Sequence, residues 1–324
     1  MQDVTFSRIQ EAARVLNGIA HITPVATSHA LDDASRAQVF LKCENLQRGG
    51  AFKFRGAYHA VSHWVTTASH RRFATVSSGN HAQGLALACR LLGCEAHVVM
   101  PAGSSALKRQ AVHSYGATIY EAPDRAQANQ LLDELARSLP ATIVHPFNDP
   151  LVIAGQGTIM AELLGQVDDL DVVLAPIGGG GLLSGLCLAA GTLRPMLEIH
   201  ACEPAGALDA IESVRQNLIV PMPNPDTLAD GLRTALGDQT LPILRRGLAG
   251  FLVVEEQEIV EAVRFAHEQL DLVIEPSSAV ALVPLLRKEP QLIGKRVAVI
   301  LTGGNVDLSE FWKSVRERFD SNRF

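Results

Sequence analysis

Short apolar runs rich in Val, Ile and Leu alternate with longer helix-period segments from about residue 39 to the end of the chain, and no other feature constrains the fold as much. Strands buried on both faces read as continuous apolar runs, and parallel neighbours need a crossover helix between them. The pattern therefore predicts an α/β protein with mostly parallel sheets, a three-layer α/β/α arrangement. The strand candidates are "QVFLKCEN", "RFATVSS", "AHVVMP", "ATIYEA", "TIVHP", "DVVLAPI", "EIHACEP", "GFLVVEE" and "RVAVILTGG", with helices such as "HAQGLALACRLLG" and "LLSGLCLAAGTL" between them. Nine strands are many for one sheet, which favours two smaller ones. Four of them, from about 72 to 147, form a compact run with three helices between. Residues 72–148 are thus expected to make a small lobe, and residues 1–71 and 149–324 a larger one. A chain of 324 residues can bury a core in each.

Composition removes several function classes. Net charge is −6, from 28 basic and 34 acidic residues, and no block of like charge could neutralise a row of phosphates or hold an anionic membrane. Nucleic acid and lipid are not expected partners. The amino-terminal "MQDVTFSRIQEAARVL" carries acids and reads as an amphipathic helix, not as a signal peptide. No apolar run reaches the roughly 20 residues of a membrane helix, so a cytoplasmic protein is expected. Five scattered cysteines, Cys43, Cys89, Cys94, Cys187 and Cys202, lack zinc spacing and read as reduced structural thiols.

Open α/β sheets bind ligands past the carboxyl ends of their strands. Four loops directly follow strands: "SSGNHAQG" (77–84), "PIGGGGLLSG" (176–185), "EPAGALD" (203–209) and "LTGGNVD" (301–307). In the second, Gly178, Gly179, Gly180 and Gly181 lie between a strand and a helix start. Successive residues without Cβ let backbone N–H groups turn toward an anion, and the helix N-terminus adds positive partial charge, so a phosphate is the expected occupant. The plainer reading is a flexible turn. A dinucleotide fingerprint fails, because counting G-x-G-x-x-G from Gly178 or Gly179 ends on Leu183 or Ser184; a P-loop fails for want of Lys-Ser or Lys-Thr. Glu198, about 20 residues on, keeps a ribose-binding alternative open. A phosphate monoester fits better.

In "GAFKFRGAYH", Lys53 stands between Phe52 and Phe54. Desolvation lowers a lysine pKa and yields a neutral amine able to form a Schiff base, whereas a lysine whose stem merely packs on apolar surface is the commoner case. Beside a phosphate cradle, the lysine points to pyridoxal phosphate, which needs an amine for its aldehyde, a cup for its phosphate and a partner for its ring nitrogen.

The strings "ENLQRGGAFKFRGA", "SSGNHAQG", "PFNDP", "AGQGT", "PIGGGGLLSG", "EPAGALD", "ADGL", "IEPSSAV" and "LTGGNVDL" together resemble the pyridoxal-phosphate-dependent serine/threonine dehydratases and serine racemases, in order and over nearly the whole chain. The resemblance implies the tryptophan-synthase-β-like fold (fold type II), with a large cofactor domain and a smaller mobile one, and a homodimer. It implies that Lys53 holds the cofactor, that Phe52 packs beside its ring, that Asn80 hydrogen-bonds the phenolic oxygen, that Gly178 to Gly181 take the phosphate and that Thr302 faces the pyridine nitrogen. Ser77, Asn80 and His81 would grip the substrate carboxylate. Ser78 would be a second acid/base opposite the lysine, as in the racemases; alternatively it is a helix N-cap. Glu203, the carbonyl of Ala207 and Asp209 match the family's divalent-cation site, whose oxygen ligands suit magnesium or calcium, with manganese a further candidate; alternatively they are two solvated loop acids.

The chain departs from the family where Gly49, Gly50 and Ala51 replace a Thr-Gly-Ser or Ser-Gly-Ser run, removing two hydroxyls near the lysine. It ends at Phe324, so feedback control through a carboxyl-terminal regulatory domain is not expected. The activity the resemblance implies is elimination of water from L-serine or L-threonine to give a 2-oxo acid and ammonia. Serine racemisation and 3-hydroxyaspartate dehydration are alternatives on the same core. A β-replacement enzyme fits less well, because its usual Thr after Ser-Gly-Asn and its Gly-Thr-Gly-Gly loop are absent. A non-catalytic metabolite-binding protein is the remaining rival.

Overall fold

A computed structural model of the chain describes residues 4–320. Its strands are β1 (Val25–Ala26), β2 (Gln38–Lys42), β3 (Arg72–Val76), β4 (Glu95–Pro101), β5 (Thr118–Ala122), β6 (Thr142–Ile143), β7 (Val172–Pro176), β8 (Glu198–Pro204), β9 (Gly250–Val254) and β10 (Arg296–Ile300). They form a six-stranded sheet, β1-β2-β10-β7-β8-β9, and a four-stranded sheet, β5-β4-β3-β6. Every pairing is parallel except β1 with β2. All nine strand candidates are present. β1 has no counterpart among them, since two residues after Pro24 are too few to show a period.

Burial explains why the strands read as unbroken apolar runs. In β7, Val172 and Leu174 point into one core while Val173 and Ala175 point into another; in β10, Val297 and Val299 alternate with Ala298 and Ile300 in the same way. The four-stranded sheet repeats this, with Phe73, Val98 and Met100 on one side and Ala74, Val76 and Val99 on the other. Both sheets are therefore the middle layer of three, as expected. Each Val, Ile, Leu or Phe buried in this way contributes about 1.5–3 kcal/mol.

The helices that frame the site are α1 (Phe6–Leu16), α2 (His29–Ser35), α3 (Lys53–Ala68), α4 (Asn80–Leu92), α5 (Ala106–Ser114), α6 (Arg125–Ser138), α7 (Pro150–Gln166), α8 (Gly181–Leu193) and α9 (Asp209–Gln216). The amphipathic amino-terminal segment forms α1, which buries Ile9, Ala12 and Leu16. Helices α3 and α7 cross with backbones nearly touching: a Cβ on Gly155 would lie 2.6 Å from the Gly56 Cα. Beneath the crossing, Arg55 pairs with Glu44 at 2.7 Å and with Glu162 at 3.0 Å, and Glu162 also takes Lys42. Two cations and two acids balance in a site where only Glu162 keeps some contact with water. Removing one member of such a group costs about 3–5 kcal/mol. This charge cluster and the glycine crossing fix the first turn of α3, and with it Lys53.

Candidate active site

A cavity opens at the carboxyl ends of β3, β7 and β10, between the two sheets. Lys53 sits in its wall, and its Nζ donates to the Pro146 carbonyl at 2.8 Å. Burial lowers its pKa from 10.5 to about 8, with the Glu275 carboxylate pulling weakly the other way. The side chain is half-buried and lines the cavity. The aromatic bracket is one-sided. The Nζ lies 5.1 Å from the centre of the Phe52 ring, whereas Phe54 is fully buried and packs on Tyr58 at 5.6 Å between ring centroids. Successive helical residues point about 100° apart, so two flanking phenylalanines cannot both cover the lysine.

The glycine loop faces the same cavity. None of the N–H groups of Gly178 to Gly181 has an acceptor among the described residues, as expected at the start of α8. These free donors at a helix N-terminus form an anion cradle. The need for glycine is steric as well as conformational. A Cβ on Gly179 would lie 2.3 Å from the Phe147 ring, and Gly180 holds φ +83°. Thr302 lines the cavity, is buried and has no partner for its hydroxyl among the described residues, while its carbonyl accepts the Phe52 N–H at 3.0 Å. Lysine, free amides and an uncommitted hydroxyl are the donor set that a phosphorylated aldehyde with a ring nitrogen requires, so the residues present fit pyridoxal phosphate.

The loop after β3 brings Ser77, Ser78, Asn80 and His81 to the cavity. Ser77 Oγ accepts the N–H groups of Gly79 and Ala82, each at 3.2 Å, which braces the turn and leaves its own proton to donate. The N–H groups of Ser78, Asn80 and His81 have no acceptor among the described residues. The N-cap of α4 is Gly79, so the capping alternative for Ser78 does not apply; its hydroxyl has no hydrogen-bond partner among the described residues, and Ser78 lines the cavity. The His81 ring lies 3.1 Å from the Val144 carbonyl, and burial beside Lys53 pushes its pKa to about 3, so it is a neutral group. Asn80 donates to Glu275 and accepts from Asn305 Nδ2 at 2.9 Å, which leaves one amide hydrogen free.

Three ionic residues complete the wall. Lys108, from α5 of the four-stranded unit, reaches Asp230 at 2.8 Å and Glu275 at 3.1 Å across the cavity, and the two carboxylates raise its pKa against the opposing effect of burial. Glu275 is buried and its own pKa is raised by desolvation. These residues were not singled out from the sequence, although "ADGL" and "IEPSSAV" contain two of them. Glu198, the ribose candidate, opens β8 beside Val172, at the opposite end of the sheet from Gly178, and pairs with Lys295 at 3.0 Å. A dinucleotide reading loses its acid.

Glu203, Ala207 and Asp209 come together, but not as solvated loop acids: all three are buried. The Glu203 carboxylate accepts the N–H groups of Ala210 (2.7 Å) and Ile211 (3.0 Å), closing the start of α9. Asp209 Oδ2 has no hydrogen-bond partner among the described residues. Desolvation pushes Glu203 up to about 8 and Asp209 up to about 7. Among the described residues no group of three or more His, Cys, Asp or Glu side chains is placed to hold a metal.

The layered α/β architecture, the lysine and the anion cradle together define a pyridoxal-phosphate enzyme of the tryptophan-synthase-β type. The chain belongs to the family described as pyridoxal-phosphate dependent enzymes, whose profile matches residues 17–303. It is 40% identical over 314 residues to a serine racemase of Arabidopsis thaliana, covering 95% of each chain. It is 41% identical over 316 residues to an L-threo-3-hydroxyaspartate ammonia-lyase of a Pseudomonas species, covering 96% of this chain and 98% of that one. The fold superposes on maize serine racemase with a TM-score of 0.92 at 35% identity, covering 100% of both chains.

Proposed function

We propose that the protein is a hydroxy-amino-acid ammonia-lyase that removes water from substrates of the L-serine and L-threonine type and releases a 2-oxo acid and ammonia. The observation that carries this reading is Lys53, an amine with a lowered pKa on the wall of a cavity whose other residues include the unpartnered amides of Gly178 to Gly181. Lys53 would hold pyridoxal phosphate covalently, with Phe52 beside the ring, Asn80 on the phenolic oxygen, Gly178 to Gly181 on the phosphate and Thr302 at the pyridine nitrogen. When bound, the cofactor supplies an electron sink for negative charge at the substrate α-carbon. Thr302 is a neutral partner and cannot hold a proton on that nitrogen as a carboxylate would. The sink is therefore moderate, which favours loss of a β-substituent over a long-lived carbanion.

Ser77, through its hydroxyl, and the N–H groups of Ser78, Asn80 and His81 bind the substrate carboxylate. Lys53, once its amine is free, takes the α-proton. The β-hydroxyl leaves as water, and hydrolysis of the resulting enamine gives the oxo acid and ammonia. Residues 72–148 close over the substrate as a unit against residues 1–71 and 149–324; the Lys108 pairs with Asp230 and Glu275, which already cross the cavity, support this. The assay is oxo-acid release from L-serine, L-threonine and L-threo-3-hydroxyaspartate by the cofactor-loaded protein. A Lys53→Ala variant with undiminished turnover would refute the assignment.

A second reading, serine racemisation, is favoured by the uncommitted Ser78 hydroxyl in the same cavity. Appearance of D-serine in recovered substrate distinguishes it. The buried, unpartnered oxygen of Asp209 supports a divalent cation held by Asp209, the Ala207 carbonyl and Glu203. The exposed apolar side chains Ile22, Leu46 and Val273, joined through the contacts of His21 with Leu46 and Asn45 with Val273, support a homodimer. Five unpaired cysteines support a reducing, cytoplasmic setting. No helix among the described residues is long and apolar enough to cross a membrane.

A further inference from the structure

The glycine loop has a front and a back. On the front, Phe147 leaves no room for a Cβ on Gly179 or Gly181. On the back, Gly180 lies against Leu236, Leu244 and Thr240, none of which lines the cavity. Thr240, the first residue of α10 (Thr240–Gly247), is fully buried. Its Oγ1 accepts the Gly237 N–H at 2.9 Å, and it lies 2.9 Å from the Gly179 carbonyl oxygen and 3.2 Å from that of Gly237. A hydroxyl has one proton to give. The Gly237 carbonyl already accepts the N–H groups of Thr240 and Leu241, whereas no other described residue donates to the Gly179 carbonyl. The proton therefore goes to Gly179.

That bond decides which way the cradle faces. Gly180 holds φ +83° and ψ −2°, the values of the third residue of a type II turn. Turning over the peptide between Gly179 and Gly180 gives type I values, φ about −90° and ψ about 0°, which glycine reaches as readily. The residues that let an anion approach thus leave the direction of their own amides open. In a trans peptide the carbonyl and the following N–H point opposite ways. With the Gly179 carbonyl drawn back to Thr240, the Gly180 N–H faces the cavity, and it has no acceptor among the described residues. With the peptide turned over, a carbonyl oxygen would face the cavity and repel an anion. The clamp is itself held in place: Asn148 Oδ1 accepts the Gln239 N–H at 2.9 Å, and its Nδ2 donates to Asp238 at 2.7 Å. The turn at 237–240 is thereby tied to the loop that carries Phe147.

We infer that Thr240 is a positioning residue for the anion cradle: its hydroxyl holds the peptide between Gly179 and Gly180 with the N–H toward the cavity, and so sets the affinity for a phosphate group there. This rests on the reading above in which Gly178 to Gly181 take the phosphate of the cofactor. Thr240 touches neither cofactor nor substrate and acts only through the glycine backbone.

The test compares the unaltered protein with Thr240→Val, which keeps the shape and removes the donor, with Thr240→Ala, and with Thr240→Ser, which keeps the hydroxyl. Full-length protein stripped of cofactor is titrated spectrally with pyridoxal phosphate and with pyridoxal, which lacks the phosphate, and calorimetrically with inorganic phosphate. Thr240→Val and Thr240→Ala are expected to raise the dissociation constant of pyridoxal phosphate about tenfold, the effect of leaving one buried carbonyl without its donor. Inorganic phosphate is expected to weaken in parallel, and the affinity for pyridoxal to stay as it is. Thr240→Ser is expected to keep the affinities of the unaltered protein. Unchanged affinity for pyridoxal phosphate in Thr240→Val and Thr240→Ala overturns the proposal. An equal loss for pyridoxal phosphate and pyridoxal also overturns it, since that would mark Thr240 as a packing residue. If Thr240→Val does not fold, the comparison of Thr240→Ala with Thr240→Ser decides, and equal losses of phosphate affinity in those two count against the hydroxyl. If the unaltered protein binds pyridoxal as tightly as pyridoxal phosphate, the glycine loop is not the phosphate seat, and the cofactor reading falls together with the proposal.

Discussion

Replacing Lys53 by Met is expected to make the cofactor-free protein more stable while abolishing its activity. Burial takes the lysine pKa from 10.5 to about 8. At about 1.4 kcal/mol for each pH unit, holding the ammonium in that site costs about 3 kcal/mol at neutral pH. Methionine keeps the unbranched stem and removes the charge, but it also removes the 2.8 Å bond to the Pro146 carbonyl, worth about 1 kcal/mol. A net gain of about 2 kcal/mol remains. With an unfolding entropy of about 2.1 cal/mol/K per residue over 324 residues, this is roughly 3 °C in Tm. Both the size and the sign depend on pH. Below pH 8 the lysine is charged in both folded and unfolded chains and the full cost applies. Between pH 8 and 10.5 the folded protein has released the proton while the unfolded chain still holds it, so stability rises with pH and the advantage of methionine shrinks. Above 10.5 the desolvation cost is gone, and only the lost bond to Pro146, worth about 1 kcal/mol, remains against methionine. Calorimetric melts of both cofactor-free proteins at pH 7 and near pH 10.5 read this directly. A variant less stable than its parent at pH 7, or a difference that ignores pH, would show that Lys53 is not desolvated.

Lys108→Met leaves Asp230 and Glu275 facing one another and is expected to cost about 3–5 kcal/mol at pH 8. Because burial raises the Glu275 pKa above its unfolded value, the folded chain binds more protons, and the deficit in urea midpoint should narrow at pH 5; an equal deficit at both pH values counts against the arrangement. Gly179→Ala forces a methyl into the Phe147 ring. It should cost about 1–3 kcal/mol and raise the pyridoxal-phosphate dissociation constant at least about tenfold, measured by spectral titration, and unchanged affinity would separate the glycine loop from the cofactor. Dialysis against a chelator should lower Tm by roughly 4 °C, with recovery on adding magnesium or calcium at about 100 times the dissociation constant. Asp209→Asn should remove that response.

The parallel sheets were legible because their strands are buried on both faces, which writes an uninterrupted run such as "DVVLAPI" into the sequence. β1 was not, since Val25 and Ala26 owe their pairing to the chain reversing beside β2 and to nothing in their own spacing. The same contrast holds in the site. Lys53 and the glycine loop carry local signatures, an apolar neighbourhood for an amine and a run without Cβ. Lys108, Asp230 and Glu275 carry none. Each is an ordinary polar residue in an exposed-looking string, and what gives it a role is a partner more than 100 residues away. The phenylalanine pair around Lys53 misled for the opposite reason: adjacency in sequence implied a shared face that a helix cannot provide.

Two lysines of one cavity show how far placement outweighs residue type. Both are largely removed from water, yet the pKa of Lys53 falls to about 8 while that of Lys108 rises. Two close carboxylates account for the difference. Their Coulombic attraction overcomes desolvation at Lys108, whereas at Lys53 only the more distant Glu275 opposes it. At pH 7 a pKa of about 8 leaves roughly one amine in ten neutral, against fewer than one in a thousand for an ordinary lysine. The acids that would abolish this reactivity line the same cavity, and Lys108 occupies them. Moving either carboxylate to Lys53 would restore a permanent ammonium there, so the ion pairs of Lys108 sustain the chemistry of Lys53 by keeping those acids engaged elsewhere.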